Sequence, residues 1–201
     1  MAKLIGKNKI NTSVFISGRG SNLKNLFKFS KHKQSPIKIS LVLSSSKMAK
    51  GLKFAKSKNI KYLSINYNQK NIEKKILLIL KKNNIRMICL AGFMKILSKN
   101  FISKFKGKIL NIHPSLLPKY KGLNTHERVL KNKEKYTGAT VHLVNDKLDS
   151  GKIITQKKIM VLKKDNKKSL EKKVLKIEHK IYPEAIKILL TNYWKKSLFQ
   201  F

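Results

Sequence analysis

Two kinds of segment alternate along most of this 201-residue chain. Short, nearly continuous apolar runs predict strands, and apolar residues three or four positions apart predict amphipathic helices. The most apolar run covers residues 85–91 and is typical of a central strand that is covered on both faces. The helical spacing is clearest over residues 72–82, where isoleucines recur at positions 72, 76 and 79.

The whole pattern predicts an α/β fold built on a doubly wound, mostly parallel sheet with helices on both faces. Strands are predicted over residues 12–17, 37–43, 61–65, 85–91 and 108–111, helices over 22–31, 48–58, 72–82 and 98–105, paired strands over 137–144 and 152–161, and a closing helix over 169–190. Without internal repeats or a linker rich in Pro, Gly or Ser, residues 12–201 are predicted to form one domain after a basic extension of residues 1–11.

Composition narrows the class of protein. A hydrophobic content of 41% is enough for a sizeable core, but no apolar run is long enough to span a bilayer. The first ten residues lack the apolar stretch of a signal peptide, so we expect a cytoplasmic protein. The single cysteine, Cys89, lies in an apolar run and is predicted to be buried and unreactive.

The formal net charge of +38 comes from 47 basic and only 9 acidic residues. Just three of the basic residues are arginine, although arginine is the side chain that reads nucleic acids bidentately. Lysine is spread over the whole chain together with abundant Asn and Ile, all of which have A- and T-rich codons. We therefore favour biased genome composition over a specific nucleic-acid partner, although weak, salt-sensitive adhesion to polyanions is still expected.

A glycine-rich turn, residues 18–22, follows the first predicted strand and opens a helix. Such a turn either caps the helix or, as we favour, binds a small phosphate ester through free backbone N–H groups. Leu23 stands where a dinucleotide fingerprint requires glycine, so a nicotinamide cofactor is not expected.

Asn111 and His113 are predicted to lie just past the fifth strand, and Asp149 lies in a loop between the two paired strands. An amide, an imidazole and a carboxylate together can polarise a carbonyl, stabilise an oxyanion and move a proton. His126 is predicted to cap or line the next helix, while His142 is either a core residue or a support for the site. No Cys/His spacing indicates a metal site.

Five runs carry a family resemblance: residues 16–23, 90–98, 111–126, 137–151 and 178–183. In order and spacing the chain resembles the phosphoribosylglycinamide formyltransferases, folate-dependent enzymes of purine synthesis. The resemblance implies a Rossmann-like formyltransferase fold with a phosphate-binding half (about residues 12–105) and a folate and catalytic half (about residues 106–201).

The resemblance also implies roles for individual residues. Asn111, His113 and Asp149 would be catalytic, Gly20, Ser21 and Asn22 would bind the substrate's phosphate, and Glu178 would meet its amine. Contacts to the folate would come from Lys70, Met94, Lys95, Ile96, Leu97, Asn111, Val144 and Asp146. Lys95, Lys121, Ser150 and Lys152 depart from residues common in the family, but none of these changes removes a catalytic group.

The implied reaction moves a formyl group from 10-formyltetrahydrofolate to the amine of glycinamide ribonucleotide, N1-(5-phospho-D-ribosyl)glycinamide, in de novo purine (IMP) biosynthesis. Our hypothesis is that protonated His113 and the Asn111 amide hold the oxyanion, and that Asp149 raises the pKa of His113 so that it stays charged. We expect no metal, no membrane and no specific nucleic acid as partners, and a monomer or homodimer.

Three alternatives remain open at this stage. Another 10-formyltetrahydrofolate-dependent formyltransferase, such as one acting on initiator methionyl-tRNA, usually carries an added C-terminal domain, and a formyltetrahydrofolate hydrolase an N-terminal regulatory domain. A lysine-rich nucleic-acid-binding protein, the remote alternative, would leave Asn111, His113 and Asp149 without a role.

Overall fold

The computed structural model describes residues 9–197, with side chains up to residue 191. The elements in chain order are β1 (Ile10–Ile16), α1 (Ser21–Lys31), β2 (Ile37–Ser44), α2 (Lys50–Ser57), β3 (Lys61–Ser64), α3 (Ile72–Lys82), β4 (Met87–Leu90), α4 (Lys99–Lys104), β5 (Lys108–His113), α5 (Thr125–Lys131), β6 (Tyr136–Leu143), β7 (Ile153–Met160) and α6 (Lys167–Ser197). The seven strands form one sheet in the order β3-β2-β1-β4-β5-β6-β7. The predicted α/β fold with a mostly parallel sheet is therefore confirmed.

Two boundaries differ from the prediction in ways that matter. The first strand begins at Ile10 rather than at residue 12, and residues 1–8 of the predicted basic extension lie outside the described residues. The fifth strand ends at His113, two residues later than predicted, so Asn111 and His113 lie within β5 and not past it. Backbone pairing continues there although the apolar run of side chains has ended.

The chain divides into two compact units, Met1–Leu110 and Asn111–Phe201. In the N-terminal unit, β1 pairs in parallel with both β2 and β4, and β2 pairs in parallel with β3. All four residues of β4 are buried, as its continuous apolar run predicted, and Cys89 is among them. Helices α1 and α3 bury their apolar stripes, including Leu26 and Ile76.

In the C-terminal unit, β6 and β7 form the predicted antiparallel pair, and α6 packs against both strands and against α5. Strand β7 lies at the end of the sheet order and is mostly exposed, with lysines at 157 and 158. Charged residues of this kind discourage pairing of an open edge with other chains. Within residues 9–197, no helix is both long and apolar enough to cross a membrane.

The buried stripe of α1 provides a direct test of the core. Leu26 is 0% exposed, whereas Met48 is 89% exposed. We expect Leu26→Ala to lower the free energy of unfolding by about 2–5 kcal/mol because it removes buried contacts and leaves a cavity. The matched control Met48→Ala should change it by less than about 0.5 kcal/mol. Urea denaturation followed by circular dichroism measures both, and equal effects would contradict the assigned burial.

Candidate active site

Strand β5 and the turn between β6 and β7 bring three polar side chains together in the C-terminal unit. Asn111 and His113 are two positions apart in β5, so their side chains leave the strand on the same side. The Asn111 amide donates to Oδ1 of Asp149 at 3.2 Å, and Nδ1 of His113 lies 3.3 Å from the other oxygen, Oδ2. The amide, imidazole and carboxylate singled out from the sequence are thus neighbours.

The backbone around Asp149 is folded tightly to place this carboxylate. Asp149 itself has φ 45°, a left-handed conformation that Asp tolerates better than most residues. The Gly122 N–H donates to its Oδ2 at 2.9 Å. At Gly151 a Cβ atom would lie 1.7 Å from the Leu143 carbonyl oxygen, so only glycine fits where the turn returns along β6.

His142 completes the cluster and supports it from within β6. Its Nδ1 donates to the Leu143 carbonyl at 2.8 Å, so Nε2 is the ring nitrogen that faces the cluster. That Nε2 faces the Asn111 amide nitrogen at 3.2 Å and lies 3.6 Å from Asp149 Oδ1. The Asn111 amide nitrogen therefore lies within hydrogen-bonding distance of both His142 and Asp149. His142 was expected to be either a core residue or a support for the site, and its contacts favour the second role.

His113 is held on both sides of its ring. Its Nε2 is 2.8 Å from the Tyr120 carbonyl oxygen, and since a carbonyl only accepts, the hydrogen is assigned to Nε2. Burial lowers the pKa of His113, and the Tyr120 carbonyl and Asp149, which act in the opposite direction, do not outweigh it. Asp149 thus acts in the direction that the hypothesis held, but it is outweighed, and the expectation that the ring stays charged is wrong. Removal of the ring from water has the larger effect.

Asp149 is the charged member of the pair. Burial alone would raise the pKa of its carboxyl, but His142, the Gly122 N–H and His113 together outweigh burial and lower it. His113 lowers the pKa of Asp149 only to the extent that its ring is protonated, and Nδ1 is the nitrogen that lies nearest the carboxylate. A proton added at Nδ1 would form an N–H···O contact to Asp149, so the pair is built to accept a proton rather than to hold one permanently.

Tyr120 is a residue that the sequence analysis missed, because its contribution to the site is a backbone carbonyl. Its φ of 58° places a bulky residue in the left-handed region, at a cost of about 1–2 kcal/mol. Its hydroxyl donates to Glu134 Oε1 at 2.8 Å and accepts from the Asn132 amide at 2.9 Å, and the Arg128 guanidinium lies 5.2 Å from the ring centroid. These contacts hold the carbonyl that orients His113.

Three further candidate residues of the C-terminal unit lie on α6 and in the turn after β6. Glu178 lies in α6 and is only 9% exposed, while Val144 is half-buried and Asp146 exposed in the turn after β6. His126 lies in the first turn of α5, whose N-cap is Asn124, so it lines this helix rather than capping it.

In the N-terminal unit, the predicted phosphate turn opens α1 as expected. Gly20 is the N-cap of this helix with φ 75°, and a Cβ atom there would lie 2.8 Å from the Cα of Gly51, so glycine is required. Ser21 is half-buried and Asn22 buried in the first helical turn. Backbone N–H groups at such a helix start attract anions.

The predicted folate positions of this unit fall on two loops. Lys70 is exposed in the turn before α3, and Met94, Lys95 and Ile96 are exposed in the loop after β4. Leu97 is only 5% exposed and anchors that loop in the core. Among the described residues, no group of three or more His, Cys, Asp or Glu side chains is arranged to hold a metal ion.

Comparisons with known proteins agree with this architecture. A sequence profile described as formyl transferase matches residues 10–186. The chain belongs to the formyl transferase family. The phosphoribosylglycinamide formyltransferase of Haemophilus influenzae is 40% identical over 179 residues, which cover 87% of this chain and 84% of that protein. The resemblance predicted from the sequence is confirmed.

Other members of the formyl transferase family extend the comparison. The human trifunctional purine biosynthetic protein adenosine-3 is 40% identical over 190 residues, which cover 92% of this chain but 19% of that protein. This chain therefore spans about a fifth of the length of the human protein. The crystal structure of phosphoribosylglycinamide formyltransferase from Anaplasma phagocytophilum has a TM-score of 0.84 at 40% identity, covering 89% of this chain and 86% of that one.

The lowered pKa of Asp149 gives a prediction about stability. A carboxyl group whose pKa is lower in the folded than in the unfolded state stabilises the fold when it is ionised. This stabilisation is complete above the pKa of the unfolded state, about 3.9, and is lost as the pH falls toward the pKa of the folded state. We expect Asp149→Asn, which keeps the shape, to lower the free energy of unfolding at pH 7 by about 1–3 kcal/mol.

The difference between wild type and Asp149→Asn should shrink steadily below about pH 4. Denaturation curves from pH 3 to pH 7 measure it, with Asp146→Asn in the exposed part of the same turn as the control. A difference that is the same at pH 3 and pH 7 would show that the charge of Asp149 does not act as described.

Proposed function

We propose that this member of the formyl transferase family transfers the formyl group of 10-formyltetrahydrofolate to the amine of glycinamide ribonucleotide, yielding the N2-formyl product and tetrahydrofolate. The observation that carries the proposal is the buried cluster of Asn111, His113 and Asp149 in a chain that is 40% identical to a named phosphoribosylglycinamide formyltransferase. An amine that attacks a formyl carbon must lose a proton, and negative charge grows on the formyl oxygen. These three side chains supply the groups that such a step needs.

The Asn111 amide is the group we assign to the oxyanion. Its N–H bonds point at His142 Nε2 and Asp149 Oδ1, so the amide would exchange one of these acceptors for the oxyanion. A donor positioned in this way stabilises the charge as it develops. Because N–H donors stabilise this charge, the proposal needs no metal.

His113 and Asp149 are the groups we assign to the proton. Since burial lowers the pKa of His113, the ring starts neutral and can accept the proton that the attacking amine loses. Asp149 stabilises the cation formed in this way. The same proton then goes to N10 of the folate as the carbon–nitrogen bond breaks, so the amine's loss and the folate's gain balance.

Binding of the two substrates is assigned by charge and exposure. The ribonucleotide phosphate would bind at Gly20, Ser21 and Asn22, and the carboxylate of Glu178 would meet the amine end of this substrate. Folate contacts are proposed for Lys70, Met94, Lys95, Ile96, Leu97, Val144 and Asp146, with Leu97 using its backbone because its side chain is buried.

We further propose that the protein acts in the cytoplasm, as a monomer or homodimer, without membrane or specific nucleic-acid partners. A lone buried cysteine is compatible with a reducing compartment. The predominance of lysine over arginine among its basic residues argues against sequence-specific nucleic-acid reading.

The decisive test is release of tetrahydrofolate, followed by absorbance, from purified protein with 10-formyltetrahydrofolate and glycinamide ribonucleotide. Release should require the ribonucleotide. The variants Asn111→Ala, His113→Ala and Asp149→Ala should each lower kcat by about 10²-fold or more, since loss of one oxyanion donor alone has an effect of about this size. Glu127→Gln, on an exposed ion pair with Lys167, is the control and should retain activity.

The two folate-dependent alternatives each have their own outcome in this assay. Release without the ribonucleotide would indicate a hydrolase, and binding of folate without release would indicate another acceptor. Near-full activity in folded His113→Ala would refute the assigned proton transfer.

The net charge of +38 leads to a separate prediction about salt. Both substrates are anionic, so the lysine-rich surface should accelerate their encounter with the protein. Raising the ionic strength from about 0.1 M to about 1 M shortens the screening length from about 10 Å to about 3 Å, and kcat/KM should fall severalfold while kcat stays nearly constant. Initial rates at graded KCl measure this, and a kcat/KM independent of salt would exclude steering.

A further inference from the structure

The loop from Gly92 to Ser98 in the N-terminal unit is held at its beginning by Ser17. The Ser17 hydroxyl accepts from the Met94 N–H at 2.8 Å and is 2.6 Å from the Ser45 hydroxyl. The Ser17 N–H also donates to the Gly92 carbonyl at 3.0 Å. These bonds attach the start of the loop to the end of β1.

The end of the same loop is held by a carboxylate from another element. Glu73, in the first turn of α3, accepts from the Ser98 N–H at 3.0 Å through Oε1 and from the Ser98 hydroxyl through Oε2. Ser98 is also the N-cap of α4, since its hydroxyl accepts from the Phe101 N–H at 3.0 Å. Glu73 therefore fixes both the end of the loop and the start of the following helix.

Glu73 also joins this loop to the turn that carries Lys70. The Tyr67 hydroxyl lies 3.3 Å from Glu73 Oε1, and burial together with Glu73 raises the pKa of Tyr67, so the phenol remains a donor. The Tyr67 ring contacts Phe93 edge to face at 5.7 Å, and Phe93 in turn contacts Phe15 at 5.3 Å. One carboxylate thus ties together two segments that both carry predicted folate contacts.

The fixed loop leaves two large apolar side chains in water. Met94 is 64% exposed and Ile96 is 74% exposed, although Leu97 beside them is only 5% exposed. If this loop could move freely, it would fold these side chains inward, because that would remove their apolar surface from water. A loop held at both ends presents them instead as a platform for an apolar ring.

We propose that Glu73 is a positioning residue for the folate: it holds the Met94–Ile96 platform and the Lys70 turn in the arrangement that binds the folate ring system. This inference rests on the proposed function. It assigns a role to a side chain that touches neither the reacting atoms nor the folate, and acts through Ser98 and Tyr67.

The test compares Glu73→Ala with Glu73→Gln in the formyl-transfer assay. Hydrogen bonds to a charged acceptor are stronger than neutral ones, so Glu73→Ala should raise the KM for 10-formyltetrahydrofolate about tenfold or more. Glu73→Gln, which keeps an acceptor of the same size, should raise it less. The KM for glycinamide ribonucleotide and kcat should change less than about twofold, because the bonds of Glu73 go to Ser98 and Tyr67 and not to the phosphate turn or the catalytic cluster.

Two controls separate positioning from damage. Glu127→Ala changes the net charge by the same amount and should leave both KM values unchanged. Ser98→Ala removes one of the bonds to Glu73 without touching the carboxylate, and should reproduce part of the rise. Titration calorimetry with tetrahydrofolate itself should show the same order of affinities, without depending on turnover.

The proposal is overturned if Glu73→Ala and Ser98→Ala both leave the folate KM unchanged, or if the KM for the ribonucleotide rises equally. A fall in kcat alone, in proportion to unfolded protein, would also overturn it, because it would indicate a purely structural residue. If wild type binds tetrahydrofolate without transferring formyl groups and Glu73→Ala weakens that binding, the positioning role holds and the proposed function fails.

Discussion

The polar interior of the C-terminal unit depends on the interactions of one buried carboxylate, that of Asp149. A charge in this position is unfavourable unless polar groups surround it. Here the Asn111 amide and the Gly122 N–H donate to it, and the rings of His113 and His142 face it. These four neighbours come from three stretches of chain, so β5, the turn before α5 and the end of β6 must all reach the same point. The tertiary structure thus determines the chemistry of each member.

Strained backbone accompanies this convergence. Tyr120, Gly122 and Asp149 all have positive φ, and Gly151 packs so closely on Leu143 that a side chain would not fit. Left-handed residues of this kind persist only where surrounding contacts over-determine them. At Tyr120 those contacts come from the side chain, whose hydroxyl and ring are engaged by the segment that follows. The strained residues are therefore those that place a carbonyl beside one nitrogen of His113 and a carboxylate beside the other.

Much of this fold was predictable because the periodicity of apolar residues can be read from each short stretch of sequence by itself. The run over residues 85–91 predicted a buried central strand, and β4 is buried at every position. The end of β5 was missed because Asn111 and His113 interrupt the apolar pattern, while backbone pairing does not depend on side-chain polarity. The direction of the His113 pKa was predicted wrongly because a carboxylate neighbour can be inferred from sequence, but the loss of water around the ring cannot. The Tyr120 carbonyl and the contacts of Glu73 leave no residue-type signal at all.

The scarcity of acidic residues explains why a few of them have large structural roles. Exposed ion pairs contribute little to stability, so drift of surface positions toward lysine has little effect on the fold. A carboxylate that accepts several hydrogen bonds cannot be exchanged in this way, because its donors would lose their partner. At least four of the nine acidic residues, Glu73, Glu134, Asp149 and Asp165, accept two or more hydrogen bonds from other segments or elements. In a chain with this composition, a remaining carboxylate is therefore a better guide to where geometry matters than any basic residue.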